Sequence, residues 1–147
     1  MRDYTKIIAW QKADDLTVSI YEATRGFPKD EAYALTSQIR RAAYSVPANI
    51  VEGATRETLK DYLHFLHIAR GSLSETRYFI HLAGRLGYLK GDQQGLLTET
   101  AEETLRVLAG LIRSVEKETD LSSRTIARAT SFLVLSLGNL ILSSSKV

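Results

Sequence analysis

Residues 38–53 read Gln38-Ile39-Arg40-Arg41-Ala42-Ala43-Tyr44-Ser45-Val46-Pro47-Ala48-Asn49-Ile50-Val51-Glu52-Gly53. Together with Ala32 and Leu35, the apolar positions Ile39, Ala42, Val46 and Ile50 recur at spacings of three and four, which places them on one face of a helix. A helix is therefore expected from about Asp30 to Glu52. Pro47 lies inside it, where the ring leaves the carbonyl of Ala43 without its usual amide donor. The apolar stripe continues in phase to Ile50, so a kink is expected there and not an end. Gln38, Ser45, Asn49 and Glu52 form a polar seam beside the stripe. Asn49 and Glu52 are expected to tie the end of this helix to the next through side-chain bonds to backbone. The far side carries Tyr33, Arg40, Tyr44 and Val51, with Arg41 at its edge. Tyr and Arg on one outward face suit a protein interface or single-stranded nucleic acid, where rings stack on bases and guanidinium groups neutralise phosphates.

Outward from this stretch the punctuation is sparse: Gly26-Phe27-Pro28, Gly53-Ala54-Thr55, Gly87 to Gly91, and a serine-rich break from Ser122 onward. The segments between are rich in Ala, Leu, Glu, Arg and Gln, strong helix formers, with no alternating β-branched run. The first helix is expected over about Ala9–Arg25, with Ala13, Leu16, Ile20 and Ala23 inward. Thr58 opens a third through a capping-box-like Thr58-Leu59-Lys60-Asp61, running to about Leu86. Asp92 is the expected N-cap of a fourth, which turns Leu97, Ala101, Leu105, Leu108, Ile112 and Val115 to one side. Short loops between amphipathic helices imply antiparallel neighbours, hence an all-α, up-down-up-down four-helix bundle over residues 1–120 with a C-terminal extension over 121–147. The third helix carries two apolar stripes. Tyr62, Leu66, Ala69, Leu73, Ile80 and Ala83 form the core stripe. Phe65, Ile68, Phe79, Leu82 and Leu86 form a second, expected to contact another subunit.

The composition narrows the chemistry. The 147 residues contain 19 Lys and Arg, 17 Asp and Glu, and no cysteine, which removes disulfides, thiolate catalysis and cysteine-ligated metals. Residues 1–120 hold sixteen of the basic and all seventeen acidic residues, net −1, so the basic excess belongs to the tail. No signal-peptide core follows Met1 and no apolar run reaches the ~20 residues of a bilayer span. His64 and His67 share a helix side but lack a further ligand other than Asp61, and His81 is remote, so no metal and no cofactor is expected. The carboxylates Asp14, Asp15, Glu22, Glu99, Glu102 and Glu103 are scattered along helix surfaces and do not converge. Phosphate-loop and nucleophile-elbow motifs are absent. Arg77 and His81 stand with three residues between them, short of the four to six of helical HEPN-type ribonucleases. No catalytic residues are assigned.

Several stretches together resemble a family. Trp10-Gln11-Lys12-Ala13, Phe27-Pro28-Lys29 with Glu31, the whole of Gln38–Gly53 with Arg56, Phe65-Leu66-His67-Ile68-Ala69-Arg70-Gly71-Ser72-Leu73 with Glu75, and Leu86-Gly87-Tyr88-Leu89 occur in the order found in the bacterial four-helix-bundle proteins encoded in 23S rRNA intervening sequences. The resemblance spans about residues 7–118. It implies a cytoplasmic protein without known catalytic activity, assembled as a ring-shaped homopentamer. It also implies a fold shared with the accessory variability proteins of diversity-generating retroelements, basic barrels that bind nucleic acid and a reverse transcriptase. The expected partners are thus further copies of the chain, RNA or cDNA, and a reverse transcriptase, with no membrane span. Arg40, Arg41, Tyr44, Arg56 and Lys60 are the expected nucleic-acid contacts, as a local basic patch on a near-neutral body. A protein-interaction scaffold without nucleic-acid affinity is the alternative. Beyond Asp120 the family pattern stops, and the apolar run from Phe132 to Leu142, ~16 Å as a helix, is too short to span a bilayer. Docking on the bundle or a neighbouring subunit, disorder, and membrane-surface contact are the three readings of this tail.

Overall fold

The computed structural model describes the backbone of residues 2–144 and the side chains of residues 2–126 and 130. Four α-helices carry the fold: α1 (Ile8–Ala23), α2 (Leu35–Ala54), α3 (Leu59–Arg85) and α4 (Gly91–Ser144), with short 3-10 turns at Tyr4–Lys6, Thr24–Gly26 and Lys29–Glu31. No strand occurs among the described residues. Helix α1 packs on α2, α2 on α3, α3 on α4 and α4 back on α1. This closed circuit of sequence neighbours is the expected up-down-up-down bundle. Its core holds Leu16, Ile20, Ile39, Val46, Ile50, Tyr62, Leu66, Leu73, Ile80 and Leu108, all 2% exposed or less. Each lies on the stripe that the helical spacing assigns to it.

Pro47 sits within α2, and the helix runs through it without interruption. The carbonyl it leaves without an i+4 amide is that of Ala43, and the Thr17 hydroxyl of α1 lies 3.1 Å from that oxygen. The same hydroxyl lies 2.8 Å from the Ala13 carbonyl of its own helix, so its single proton is shared between two acceptors. Ala13 and Ala43 are both 1% exposed. Their small side chains let α1 approach closely enough for the hydroxyl to reach across. Between α2 and α3 the tie is the Ser45 to Ser72 hydroxyl contact at 3.0 Å.

The expected start of the second helix at Asp30 is corrected to Leu35. A 3-10 turn occupies Lys29–Glu31, and the Glu31 carboxylate accepts the Leu35 amide at 3.0 Å. The other Glu31 oxygen accepts the Tyr88 hydroxyl at 3.1 Å, and the Tyr88 ring packs 5.5 Å from that of Phe27. Hydrogen bonding to this carboxylate holds the Tyr88 hydroxyl above the usual phenol range. Tyr88 reaches this place because α3 ends in a Schellman motif: Tyr88 N donates to Ala83 O at 2.9 Å and Gly87 N to Gly84 O at 3.0 Å. Gly87, at φ +77°, takes the left-handed position that the motif requires. The Phe-Pro segment and the Leu-Gly-Tyr-Leu segment, 60 residues apart in sequence, thus close one end of the bundle together.

Asn49 and Glu52 do not make the expected ties to α3. The Asn49 amide donates back to the Ser45 carbonyl at 2.7 Å and hydroxyl at 3.0 Å, and Glu52 pairs with Arg56. Asp92 is not the N-cap of α4 but lies in its first turn, since the helix begins at Gly91. The expected break from Ser122 onward is also corrected: α4 is one helix of 54 residues. Its serine and threonine hydroxyls are absorbed by its own carbonyls, as Ser123 on Thr119 and Thr125 on Leu121 show. A hydroxyl bonded back four residues does not end a helix. The expected contacts of the Phe132–Leu142 side chains lie outside the described residues.

The Pro47 geometry sets a quantitative expectation. Thr17→Val should cost about 1–2 kcal/mol in urea unfolding by stranding the buried Ala43 carbonyl. In a Pro47→Ala background, where residue 47 regains an amide, the same substitution should cost clearly less. Equal costs in the two backgrounds would show that the hydroxyl does not serve that carbonyl.

Candidate nucleic-acid interface

The five residues expected to meet nucleic acid do not form one patch. Arg40 and Arg41 lie in the first third of α2, and Arg56 and Lys60 lie beyond its C-terminal end. Sixteen residues from Arg40 to Arg56 correspond to roughly 24 Å of helix. Two separate sites result.

At the α1/α2 site the Arg40 guanidinium carbon lies 4.8 Å from the centroid of the Tyr21 ring. Its Nε donates to the Thr24 hydroxyl at 2.8 Å, which in turn donates to the Ile20 carbonyl at 2.8 Å. Arg40 is thus half-buried and held by α1. Arg41, one residue further round the helix, is exposed, with only a 3.3 Å bond to the Gln38 side chain. Tyr44 is 47% exposed and Tyr21 41%. Tyr44 stands one turn from Arg40, so two accessible rings and two guanidinium groups form a band across the α1/α2 groove. Tyr21 is the member that sequence reasoning missed. The available signal was a large aromatic on the flank of the Leu16 and Ile20 stripe of α1, about 100° round the helix from Ile20. Tyr33, placed on the same face by the helical reading, precedes α2 and is 97% exposed.

At the α2/α3 corner Arg56 pairs with Glu52 and its guanidinium lies 4.7 Å from the Phe65 ring centroid. Gly53 makes this corner possible: a Cβ there would stand 2.9 Å from Tyr62 Cδ2 and 3.0 Å from Phe65 Cβ. The amino-terminal segment closes over it. Arg2 N donates to the Ala54 carbonyl at 3.1 Å, and the Arg2 guanidinium lies 4.4 Å from the centroid of Tyr62. Burial raises the Tyr62 hydroxyl above its ordinary range, with the Arg2 charge acting against the shift. Thr58 caps α3 by accepting the Asp61 amide at 3.0 Å, and its hydroxyl donates to the Asp61 carboxylate at 2.7 Å. A surface cleft of about 400 Å³ lies beside these groups, lined by Glu52, Thr55, Arg56, Glu57, Thr58 and Asp61. Three carboxylates against one paired arginine make this cleft a poor seat for a phosphate. Lys60 is exposed on the outer side of α3.

The second apolar stripe of α3 is divided. Phe79 and Leu82 pack partly against the core, and Phe65 is occupied by Gly53 and Arg56. Ile68 and Leu86 remain 38% and 49% exposed. His64 packs edge-on against Phe65 and His67 approaches Glu116 at 3.9 Å. Among the described residues no group of three or more His, Cys, Asp or Glu is arranged to hold a metal ion, and no helix is long and apolar enough to cross a membrane.

The fold and this surface define a class: an all-helical four-helix-bundle protein whose polar and aromatic features lie on outer helix faces. The chain belongs to the family of 23S rRNA-intervening sequence proteins, whose model matches residues 5–110. Among solved structures it is similar to a protein of unknown function from the S23 ribosomal protein family of Bacteroides thetaiotaomicron VPI-5482. The two share 24% identity and superpose with a TM-score of 0.67 over 71% of this chain and 98% of the other. That likeness establishes the bundle. No curated protein matches the sequence.

The two adjacent arginines should separate in their effects. Arg40→Ala is expected to cost about 1 kcal/mol of stability through loss of the Thr24 bond and the Tyr21 stack, while Arg41→Ala stays within about 0.5 kcal/mol of the parent. Thermal unfolding of the two variants measures the difference, and equal losses would contradict the assignment of Arg40 to the fold.

Proposed function

We propose that this protein is a non-enzymatic, oligomeric scaffold that holds RNA against the outer face of α1 and α2. The observation that carries the reading is the band of Tyr21, Arg40, Arg41 and Tyr44. The exposed Tyr44 ring offers a stacking platform and the exposed Arg41 guanidinium offers phosphate neutralisation, beside the Arg40–Tyr21 stack that the fold holds in place, on a body that is otherwise near neutral. Membership in a family named for 23S rRNA intervening sequences supports RNA as the nucleic acid of this reading. By the analogy with retroelement accessory proteins, a cDNA and a reverse transcriptase are the corresponding partners. Assembly as a cytoplasmic homopentamer belongs to the same proposal, with Phe65, Ile68, Phe79 and Leu82 of α3 and Leu86 just beyond its end at the subunit boundary. Within that set Ile68 and Leu86 supply the exposed apolar contact.

A second reading, a protein-interaction scaffold without affinity for nucleic acid, is favoured by the engagement of Arg40 with α1 and of Arg56 with Glu52. It differs from the first in what Arg41 and Tyr44 do. Under the RNA reading, single-stranded RNA binds measurably at about 50 mM salt, weakens steeply as salt rises, and loses about tenfold or more in affinity in Arg41→Ala with Tyr44→Ala. Fluorescence anisotropy with labelled RNA decides: absent binding, or binding indifferent to both substitutions, leaves the protein-only scaffold. For the assembly, Ile68→Asp with Leu86→Asp should lower the mass seen by light scattering while helicity by circular dichroism is unchanged, because neither residue is part of the buried core. An unaltered mass removes α3 from the boundary.

A further inference from the structure

The basic residues of α4 stand in one row. Between Gly91 and Ile126 they are Arg106, Arg113, Lys117 and Arg124, and steps of seven, four and seven residues keep all four within about 40° of one another round the helix. The row is turned away from the buried stripe of Leu97, Ala101, Leu108, Ile112 and Val115, and each of its members is exposed. From Arg106 to Arg124 it is ~27 Å long. Basic side chains elsewhere are engaged by the fold: Lys12 and Arg77 pair with Glu103 and Glu102, Arg56 pairs with Glu52, and Arg2 and Arg40 lie over rings. Among the described residues none of the four in the row makes an ion pair. Three nearby acids are directed away from it, Glu102 and Glu103 to the partners just named and Glu116 towards His67 at 3.9 Å. Asp120 remains at its edge, in a shallow surface recess shared with Lys117, Leu121 and Arg124. Arg113 and Lys117 are four residues apart, a spacing at which like charges on a helix repel. An anion lying along the row relieves that repulsion.

We propose that Arg106, Arg113, Lys117 and Arg124 form a phosphate track that holds the backbone of an RNA without reading its bases. Contacts to phosphate fix the position of a nucleic acid and carry no sequence information. Between Gly91 and Ile126 there is no aromatic residue, so the row supplies charge with no platform on which a base could stack. Ala109, Gly110 and Ser114 lie beside Arg106 and Arg113, and a Cβ on Gly110 would meet nothing nearer than the Arg113 guanidinium at 4.0 Å. No bulky side chain there screens the charges. A helix that lies on a membrane needs a free apolar face beside its cations, whereas at the level of Arg106 and Arg113 the apolar stripe of α4 is already buried in the bundle. The track rests on the RNA reading above but uses a different face. Helix α4 packs on α1 and α3 and lies across the bundle from α2, so the row is apart from Arg41 and Tyr44.

The test is the salt dependence of RNA binding by the full-length protein, followed by fluorescence anisotropy with labelled single-stranded RNA. In the row variant, Arg106→Gln, Arg113→Gln, Lys117→Gln and Arg124→Gln are combined at exposed positions, and circular dichroism should show unchanged helicity. Each phosphate neutralised on a single strand contributes about 0.7 to the slope of log affinity against log salt, so the slope should fall by about 2–3 and the affinity at about 50 mM salt by tenfold or more. The loss should be the same for oligouridylate and oligoadenylate. A control variant, Arg25→Gln, Lys29→Gln, Arg85→Gln and Lys90→Gln, removes as many exposed charges outside the row and should change the slope by less than about one. Equal changes in the two variants reduce the effect to net charge and overturn the proposal. Binding that is lost in Arg41→Ala with Tyr44→Ala but unchanged in the row variant overturns the track and leaves the α1/α2 reading standing. Loss confined to the row variant supports the track and removes the α1/α2 band, while absence of RNA binding by the parent overturns both. Flotation of the parent on vesicles of phosphatidylcholine and phosphatidylglycerol that is abolished in the row variant, with RNA affinity unaltered, overturns the proposal and assigns the row to an anionic membrane surface.

Discussion

A proline on the buried face of α2 leaves one carbonyl to be satisfied from outside, and the arrangement of the first two helices follows from how this is done. Thr17 can meet the Ala43 oxygen only if α1 lies close to α2 at one particular register, and Ala13 and Ala43 are small enough to allow it. Antiparallel helices fixed with residue 17 beside residue 43 bring residue 21 beside residue 40, and the long Arg40 side chain reaches one turn further to Thr24. The Arg40 stack on Tyr21 and its bond to Thr24 are therefore the next contacts along the same groove. One backbone oxygen that Pro47 leaves to the Thr17 hydroxyl thereby aligns the place where Tyr21, Tyr44, Arg40 and Arg41 come together on α1 and α2.

The two ends of the bundle are closed by different chemistry. At one, Glu31 joins the start of α2 to Tyr88 through two oxygens of a single carboxylate, with Phe27 packed against the Tyr88 ring. At the other, Gly53 lets the Tyr62 and Phe65 side chains approach the end of α2, and Arg2 and Arg56 lie over those rings. Most of the sequence stretches that mark the family map to these two ends and to the groove between α1 and α2. Phe27, Glu31, Gly87 and Tyr88 are thus explained as residues of folding, and so is Arg56, which the sequence alone makes a candidate for binding.

The helical class, the number of helices and nearly every core residue were legible from spacing, because burial imposes a period that apolar residues alone display. The Thr58 cap was legible for a different reason, because its partner Asp61 is only three residues away. What could not be read was set by partners distant in sequence. Arg40 and Arg41 are indistinguishable as letters, and only the arrival of Tyr21 and Thr24 separates a residue held by the fold from one facing solvent. Arg56 likewise joined a supposed patch with Arg40 because sequence gives no distance along a helix that ends between them. The start of α2 was misplaced because the Glu31 carboxylate acts as a cap from four residues away. The serine-rich stretch after Asp120 was misread because composition signals a break, whereas hydroxyls bonded to their own helix leave it intact.

Glu102 and Glu103 are consecutive residues of α4 that reach in different directions, the first to Arg77 of α3 at 3.2 Å and the second to Lys12 of α1 at 2.8 Å. Each contact is weak by itself in such exposed positions. Together they bracket the buried stripe from both sides, so turning α4 about its axis by even one residue, about 100°, would break both and expose the stripe. The helix is indexed like a keyed shaft. Because it leaves the bundle without a break, the azimuth set by these two neighbouring carboxylates is carried outward along its length. The direction in which Ile126 faces is thus set within the bundle, by the buried stripe of α4 and, some 35 Å away, by the two carboxylates that flank it at the level of Lys12 and Arg77.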